Sequence, residues 1–140
     1  FQSALFKIKE CISQEYRRHA FVCDGVKLSG SEKQLFQKLA DGKGTMDEYS
    51  GSLQFLSQCL YKEMGEKVII LLDEYDVPLE NAYFRGFYDE MIDFIRSLFE
   101  SGLKTNEALK FSVITGCLRI SKESIFTGLN SRIGTFSSVR

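Results

Sequence analysis

The sequence predicts an α/β domain with more helix than strand, and three observations carry that prediction. The run Lys67-Val68-Ile69-Ile70-Leu71-Leu72 is apolar after its first residue, β-branched, and bounded by Gly65 and by acids, which is the pattern of a strand buried on both faces of a parallel sheet. Phe111-Ser112-Val113-Ile114-Thr115 reads as a second, shorter and more polar strand. Between them lies a helix-periodic segment, so strand, crossover helix and strand form a right-handed βαβ unit with parallel strands. The first of these strands is expected to be central, not at an edge.

The remaining elements follow in chain order. Leu5, Ile8, Ile12 and Tyr16 fall at helical spacing with Lys7, Lys9 and Glu10 between them, predicting an amphipathic helix over 2–20. A short segment, Phe21 to Leu28, leads to Ser31, read as an N-cap with Gln34 three residues on, and the helix it starts ends at Asp41-Gly42. A third helix is predicted over 46–64, with Tyr49, Leu53, Leu56, Leu60 and Met64 facing inward and Gly65 as its stop. After Pro78, which closes a turn, a long helix is predicted over 81–101, carrying Phe84, Phe87, Tyr88, Met91, Ile92, Ile95, Leu98 and Phe99 and ended by Gly102. Ser121 caps a short helix through Phe126, and the serine-rich stretch 130–140 is a weak strand or a loose tail.

Composition narrows the function classes. At 140 residues there is room for one domain with a real core. Eighteen basic against nineteen acidic residues leave a net charge of −1, so no global field holds nucleic acid or an anionic membrane. The cysteines, at 11, 23, 59 and 117, form no C-x-x-C pair, and the spacing of His19 and Cys23 supplies two ligands where a closed zinc site needs four. A reduced, cytoplasmic setting follows, with no signal peptide or membrane span. The chain starts at Phe1 and its first methionine is Met46, so its start is expected to be either a trimmed end or the interior of a longer protein.

The chemistry concentrates where the first strand ends. Val68 to Leu72 runs directly into Asp73-Glu74-Tyr75-Asp76, placing carboxylates at the carboxyl edge of an α/β sheet, where such folds bind their ligands. This is a Walker B arrangement: Asp73, assisted by Asp76, would hold Mg²⁺, and Glu74 would polarise the water that attacks a γ-phosphate. The bland alternative is a core strand running into a solvated turn. Thr115 at the end of the second strand takes the place of a γ-phosphate sensor, and Arg119 four residues on suits a phosphate contact or an arginine finger. Against these stand a strand-end cap for Thr115 and a surface ion pair for Arg119.

These residues also resemble a family. KVIILLDEYDVPLENAYFRGF, from Lys67 to Phe87, and FSVITGCLRISKESIFTGLN, from Phe111 to Asn130, are similar to the AAA-ATPase-like family of bacterial proteins, relatives of the STAND and AAA-type P-loop NTPases. The resemblance reaches more loosely upstream to about Ala4, which implies a partial domain over 1–130 followed by a divergent tail over 131–140. It implies Walker B roles for Asp73 and Glu74, a sensor-like strand end at Thr115 and Arg119, and use of ATP and Mg²⁺ by the intact protein. Family members begin with G-x-x-x-x-G-K-[ST], and this sequence has none: after Gly42-Lys43 stands Gly44, and Gln37 occupies the first glycine's place. Since that loop supplies most of the nucleotide affinity, the chain alone is expected to bind no ATP tightly and to be inactive.

Two other classes compete. A metal-dependent nuclease or phosphatase would use Asp73, Glu74 and Asp76 as ligands, but 111–115 lacks the acid-x-lysine triplet that a PD-(D/E)xK nuclease needs. A self-associating interaction module would use an exposed sheet edge or helix face to form a homodimer, with Tyr83, Phe84, Phe87 and Tyr88 as the suspected patch, though an aromatic helix over a sheet is more commonly core.

Overall fold

The computed structural model describes residues 2–116. The sequence-read Ser121 helix, the tail and Arg119 lie outside the described residues. In order come α1 (Gln2–Arg18), a 3₁₀ turn (Ala20–Cys23), α2 (Gly30–Ala40), α3 (Met46–Ser50), α4 (Ser52–Met64), β1 (Val68–Leu72), α5 (Val77–Arg85), α6 (Tyr88–Phe99), a π-helical turn (Glu100–Lys104) and β2 (Leu109–Ile114). This is the helix-rich α/β arrangement predicted, with β1 and β2 parallel.

Buried polar groups join α1, α3 and α4, and a ring contact brings in α2. Tyr16 of α1 is 1% exposed, and its hydroxyl donates to the Ser52 carbonyl at 2.6 Å. Ser13 Oγ meets the Tyr49 hydroxyl at 3.3 Å, and Ser52 Oγ donates to the Tyr49 carbonyl at 2.6 Å. The Tyr16 ring lies 4.8 Å from Phe36 and 6.4 Å from Phe55, centroid to centroid, so one side chain joins α1, α2 and α4. Burial raises the Tyr16 pKa above the ordinary phenol value.

Local chemistry moved several boundaries from their sequence-read positions. The cap of α2 is Ser29, not Ser31: Ser29 Oγ accepts from Glu32 N at 3.2 Å, and the Glu32 carboxylate accepts from Ser29 N at 2.7 Å. Both serines have a Glu or Gln three residues on, but Glu32 is charged and is also held by Lys62 at 2.6 Å. The helix read over 46–64 breaks at Gly51, where ψ is 1°, giving α3 and α4; a second capping box, Thr45 with Glu48, starts α3. The helix read over 81–101 starts earlier, with Pro78 in its first turn, and breaks at Gly86, whose φ of 79° ends α5. Gly102 does not stop a helix; it sits in the π-helical turn, where an added Cβ would lie 2.8 Å from Leu53 Cβ. Gly65, with φ 74°, ends α4 as expected.

The sheet departs most from expectation. β1 pairs with β2 in the register Ile69↔Phe111, Ile70↔Ser112, Leu71↔Val113, Leu72↔Ile114, with an irregularity between Val68 and Ile69. Ile70, Leu72 and Ile114 pack against the core, but on the opposite face Ile69, Leu71, Phe111 and Val113 are exposed, Leu71 by 72%. The strand is therefore not buried on both faces, nor is it central among the described residues, where β1 has one neighbour. The described helices cover one face of the sheet only, and the alternation of side chains leaves the other apolar face open. Asn106, 2% exposed, leads into β2 by donating to the Gly102 carbonyl at 2.9 Å and accepting from Ala108 N at 3.1 Å.

Candidate functional site

Because β1 and β2 are parallel neighbours in register, their carboxyl ends emerge side by side. The ladder continues one step past each strand: Thr115 N donates to the Leu72 carbonyl at 2.8 Å and Tyr75 N to the Thr115 carbonyl at 3.2 Å. That carries the Thr115 side chain to the acids. Its hydroxyl donates to Asp73 Oδ1 and accepts from Glu74 N at 3.2 Å. Thr115, Asp73 and the Glu74 backbone thus form one hydrogen-bonded unit, although Thr115 and Asp73 are 42 residues apart.

Glu74 has φ 51°, the one left-handed non-glycine residue among those described. Its carbonyl accepts from Val77 N at 3.1 Å, closing the turn from β1 into α5. Left-handed backbone is unfavourable for a side chain with a Cβ by roughly 1 kcal/mol, and a short polar or glycine residue would suit the turn better. Asp73 and Glu74 are exposed, and neither joins an ion pair among the described residues. Two carboxylates therefore stand at the strand tip with no cation of the described residues paired to them.

Asp76 sits differently. It is 4% exposed, at the N-terminus of α5, with its Oδ1 turned toward Gly116. A Cβ built on Gly116 would lie 2.9 Å from that oxygen and 2.7 Å from Tyr75 Cδ1. Gly116 and Tyr75 were not singled out as site residues in the sequence, and the structure shows their importance: the buried Tyr75 ring, 6.3 Å from that of Phe99, occupies the space a side chain at 116 would need. The Thr-Gly pair ending a strand was the available signal. Among the described residues no group of three His, Cys, Asp or Glu gathers as a metal site. The donors present are hard carboxylate oxygens, which suit Mg²⁺ held by one or two carboxylates with water and phosphate oxygens supplying the rest. An apolar groove of about 420 Å³ adjoins the acids, walled by Ile8, Ile12, Val77, Pro78 and Ile95.

Carboxylates and a hydroxyl thus meet at the carboxyl edge of two parallel strands, the edge at which α/β folds bind their ligands. Comparison with known proteins gives the family. The chain belongs to the AAA-ATPase-like family, described as predicted AAA-ATPases, whose family model matches residues 5–126. It is also similar to an "Uncharacterized protein in vnfD 5'region" of Azotobacter chroococcum mcd 1, 39% identical over 69 residues. That match covers 48% of this chain and 13% of the relative, so the chain spans a small part of the length of the curated protein it matches. No solved structure matches. No helix among the described residues is long and apolar enough to cross a membrane.

Proposed function

We propose that this chain carries the Walker B and sensor strands of a P-loop ATPase core, inactive by itself because the phosphate-binding loop is not in its sequence. The observation that supports it most is the Thr115 hydroxyl bridging Asp73 and the Glu74 backbone across β1 and β2. Bound Mg²⁺ would neutralise the charge developing on a transferring phosphoryl group. Asp73 is the residue to hold it, with Asp76 supporting from the turn. Glu74 orients and deprotonates the attacking water, its carboxylate held at the tip by the left-handed turn. Thr115 keeps Asp73 oriented and, through the same hydroxyl, registers changes at the carboxylate. Arg119 is assigned a phosphate-contacting or finger role, although it lies outside the described residues.

The test is calorimetry with Mg·ATP on this chain beside one extended upstream to include a G-x-x-x-x-G-K-[ST] loop. Binding by the longer chain alone, and hydrolysis there lost in Glu74→Gln, is the expected result. Tight binding by the present chain would mean that the phosphates sit elsewhere.

A second reading, a self-associating module in a reduced bacterial cytoplasm, draws on the open apolar face of the sheet and on Tyr83 and Phe84, exposed by 70% and 76%. Phe87 does not belong to that patch, being 8% exposed and part of the core. Light scattering on the purified chain separates the readings: a homodimer favours the module, a monomer at high concentration removes it.

A further inference from the structure

The four residues between β1 and α5 divide into two pairs. Asp73 and Glu74 are exposed, whereas Tyr75 and Asp76 are buried, at 7% and 4% exposure. Glu74 nevertheless holds a left-handed backbone, which persists in a residue with a Cβ only where its surroundings over-determine it. Three hydrogen bonds fix the stretch: Glu74 N donates to Thr115 Oγ1, Tyr75 N to the Thr115 carbonyl, and Val77 N to the Glu74 carbonyl. Two of the three end on Thr115, so the shape of the acid turn depends on where the end of β2 lies.

The residue after Thr115 is the point of closest approach. The Tyr75 ring and the Asp76 carboxylate lie over Gly116, where a Cβ would stand 2.7 Å from Tyr75 Cδ1 and 2.9 Å from Asp76 Oδ1, and closer still to Tyr75 Cε1. A side chain at 116 must therefore move the ring, the carboxylate or the strand end. The ring cannot yield freely, because it also rests on Phe99, a core residue of α6, with centroids 6.3 Å apart. Core packing on α6 is thus passed through Phe99 and Tyr75 to Gly116, and from Gly116 through Thr115 to the acids.

We propose that Gly116 is a positioning residue for the acid turn. With no side chain there, the Tyr75 ring and the Asp76 carboxylate close onto the end of β2, and this closure keeps Glu74 left-handed and the Thr115 hydroxyl on Asp73. Glycine is required at 116 for space and not for backbone freedom, since its φ lies outside the left-handed region that Gly42, Gly65 and Gly86 occupy. The inference concerns how the acids are held and not what they hold. It therefore goes beyond the ATPase reading and draws on it only for the effect on hydrolysis.

Hydrogen exchange on Gly116→Ala in the 140-residue chain tests this. The Glu74 and Tyr75 amides, both bonded to Thr115, should exchange about tenfold faster or more, while amides inside α4, such as that of Leu60, stay within about twofold. Tyr75→Leu removes the ring atoms that a Cβ at 116 would strike, so the double variant should exchange no faster than Gly116→Ala alone. In the upstream-extended chain, Gly116→Ala should lower kcat about tenfold or more and leave KM within about twofold. The proposal is overturned if the two tip amides keep their rates in Gly116→Ala, if α4 speeds up as much as the tip, or if the two substitutions multiply as independent changes do. Unchanged kcat in an extended chain that hydrolyses ATP overturns it as well. Should Gly116→Ala fail to fold, Tyr75→Leu alone, which opens the same contact from its other partner, must speed both tip amides or the proposal falls. An extended chain that shows no hydrolysis would count against the ATPase reading, and the exchange rates would still decide the role of Gly116.

Discussion

The helical half, α1 to α4, and the sheet half, β1 to β2, follow opposite rules. In the helical half one cluster of polar groups is buried and paired: Ser13, Tyr16, Tyr49 and Ser52 bond one another beneath the surface. On the sheet of the other half apolar side chains face outward, and two carboxylates stand at the tip without an ion-pair partner among the described residues. Buried, satisfied polar groups specify how helices dock, whereas exposed apolar and acidic groups serve contacts with something else. Both halves contribute to the hydrophobic core, α5 and α6 through Leu79, Met91, Ile95 and Phe99, so the contrast lies in where the polar groups go.

The strongest way to break that contrast is Tyr16→Ala, which removes a fully buried ring and the hydroxyl bond to Ser52; a loss of about 3–5 kcal/mol is expected in urea unfolding. A loss below about 1 kcal/mol would show that the buried polar cluster does not hold the helices together. Alkaline pH should be the next largest perturbation, again on the helical half. Burial raises the Tyr16 phenol and pushes the Cys59 thiol up to about 12. Both folded-state values lie above the unfolded ones, so their contribution is complete below the ordinary thiol value near 9.0 and is lost as pH rises from there through the raised values. Thermal unfolding measured in steps above pH 9.0 should show a falling midpoint, and Cys59→Ala should flatten part of the fall.

Smaller effects sharpen the contrast. Ser29→Ala removes the capping-box acceptor of α2 and should cost about 1 kcal/mol. Glu74→Gly, in the sheet half, should do the reverse: relieving the left-handed backbone stabilises the fold by up to about 1 kcal/mol, while abolishing hydrolysis in a chain that binds Mg·ATP. Destabilisation instead would mean that the Glu74 carboxylate holds the turn. Leu71→Thr, on the open face, should change stability by less than about 0.5 kcal/mol; a large loss would show that this face is covered in solution.

Much of the site was legible in the residues. An apolar β-branched run ending in Asp73-Glu74 announces a strand with acids at its tip, because side-chain alternation and strand length are local properties. Thr115 at the end of the next apolar run was legible for the same reason. What could not be read was the bond between them. Nor could local reading foresee Gly116 as the place where the Tyr75 ring lies against the backbone, since that contact depends on how α6, through Phe99, holds the ring. Gly51 and Gly86 were missed as breaks because apolar periodicity runs on across both positions, and only backbone geometry interrupts it.

By itself, then, the sequence determined which segments are helix and strand, their parallel connection, and the acids and hydroxyl set at the strand ends. All of these rest on interactions a few residues long or on the chirality of a crossover. Tertiary structure alone decided that Lys62, thirty residues away, holds the Glu32 of the α2 capping box, and that Thr115 ties Asp73 to the Glu74 backbone. It decided as well which face of the sheet the described helices cover, because that depends on where the helices pack, and alternating apolar residues look the same on either side.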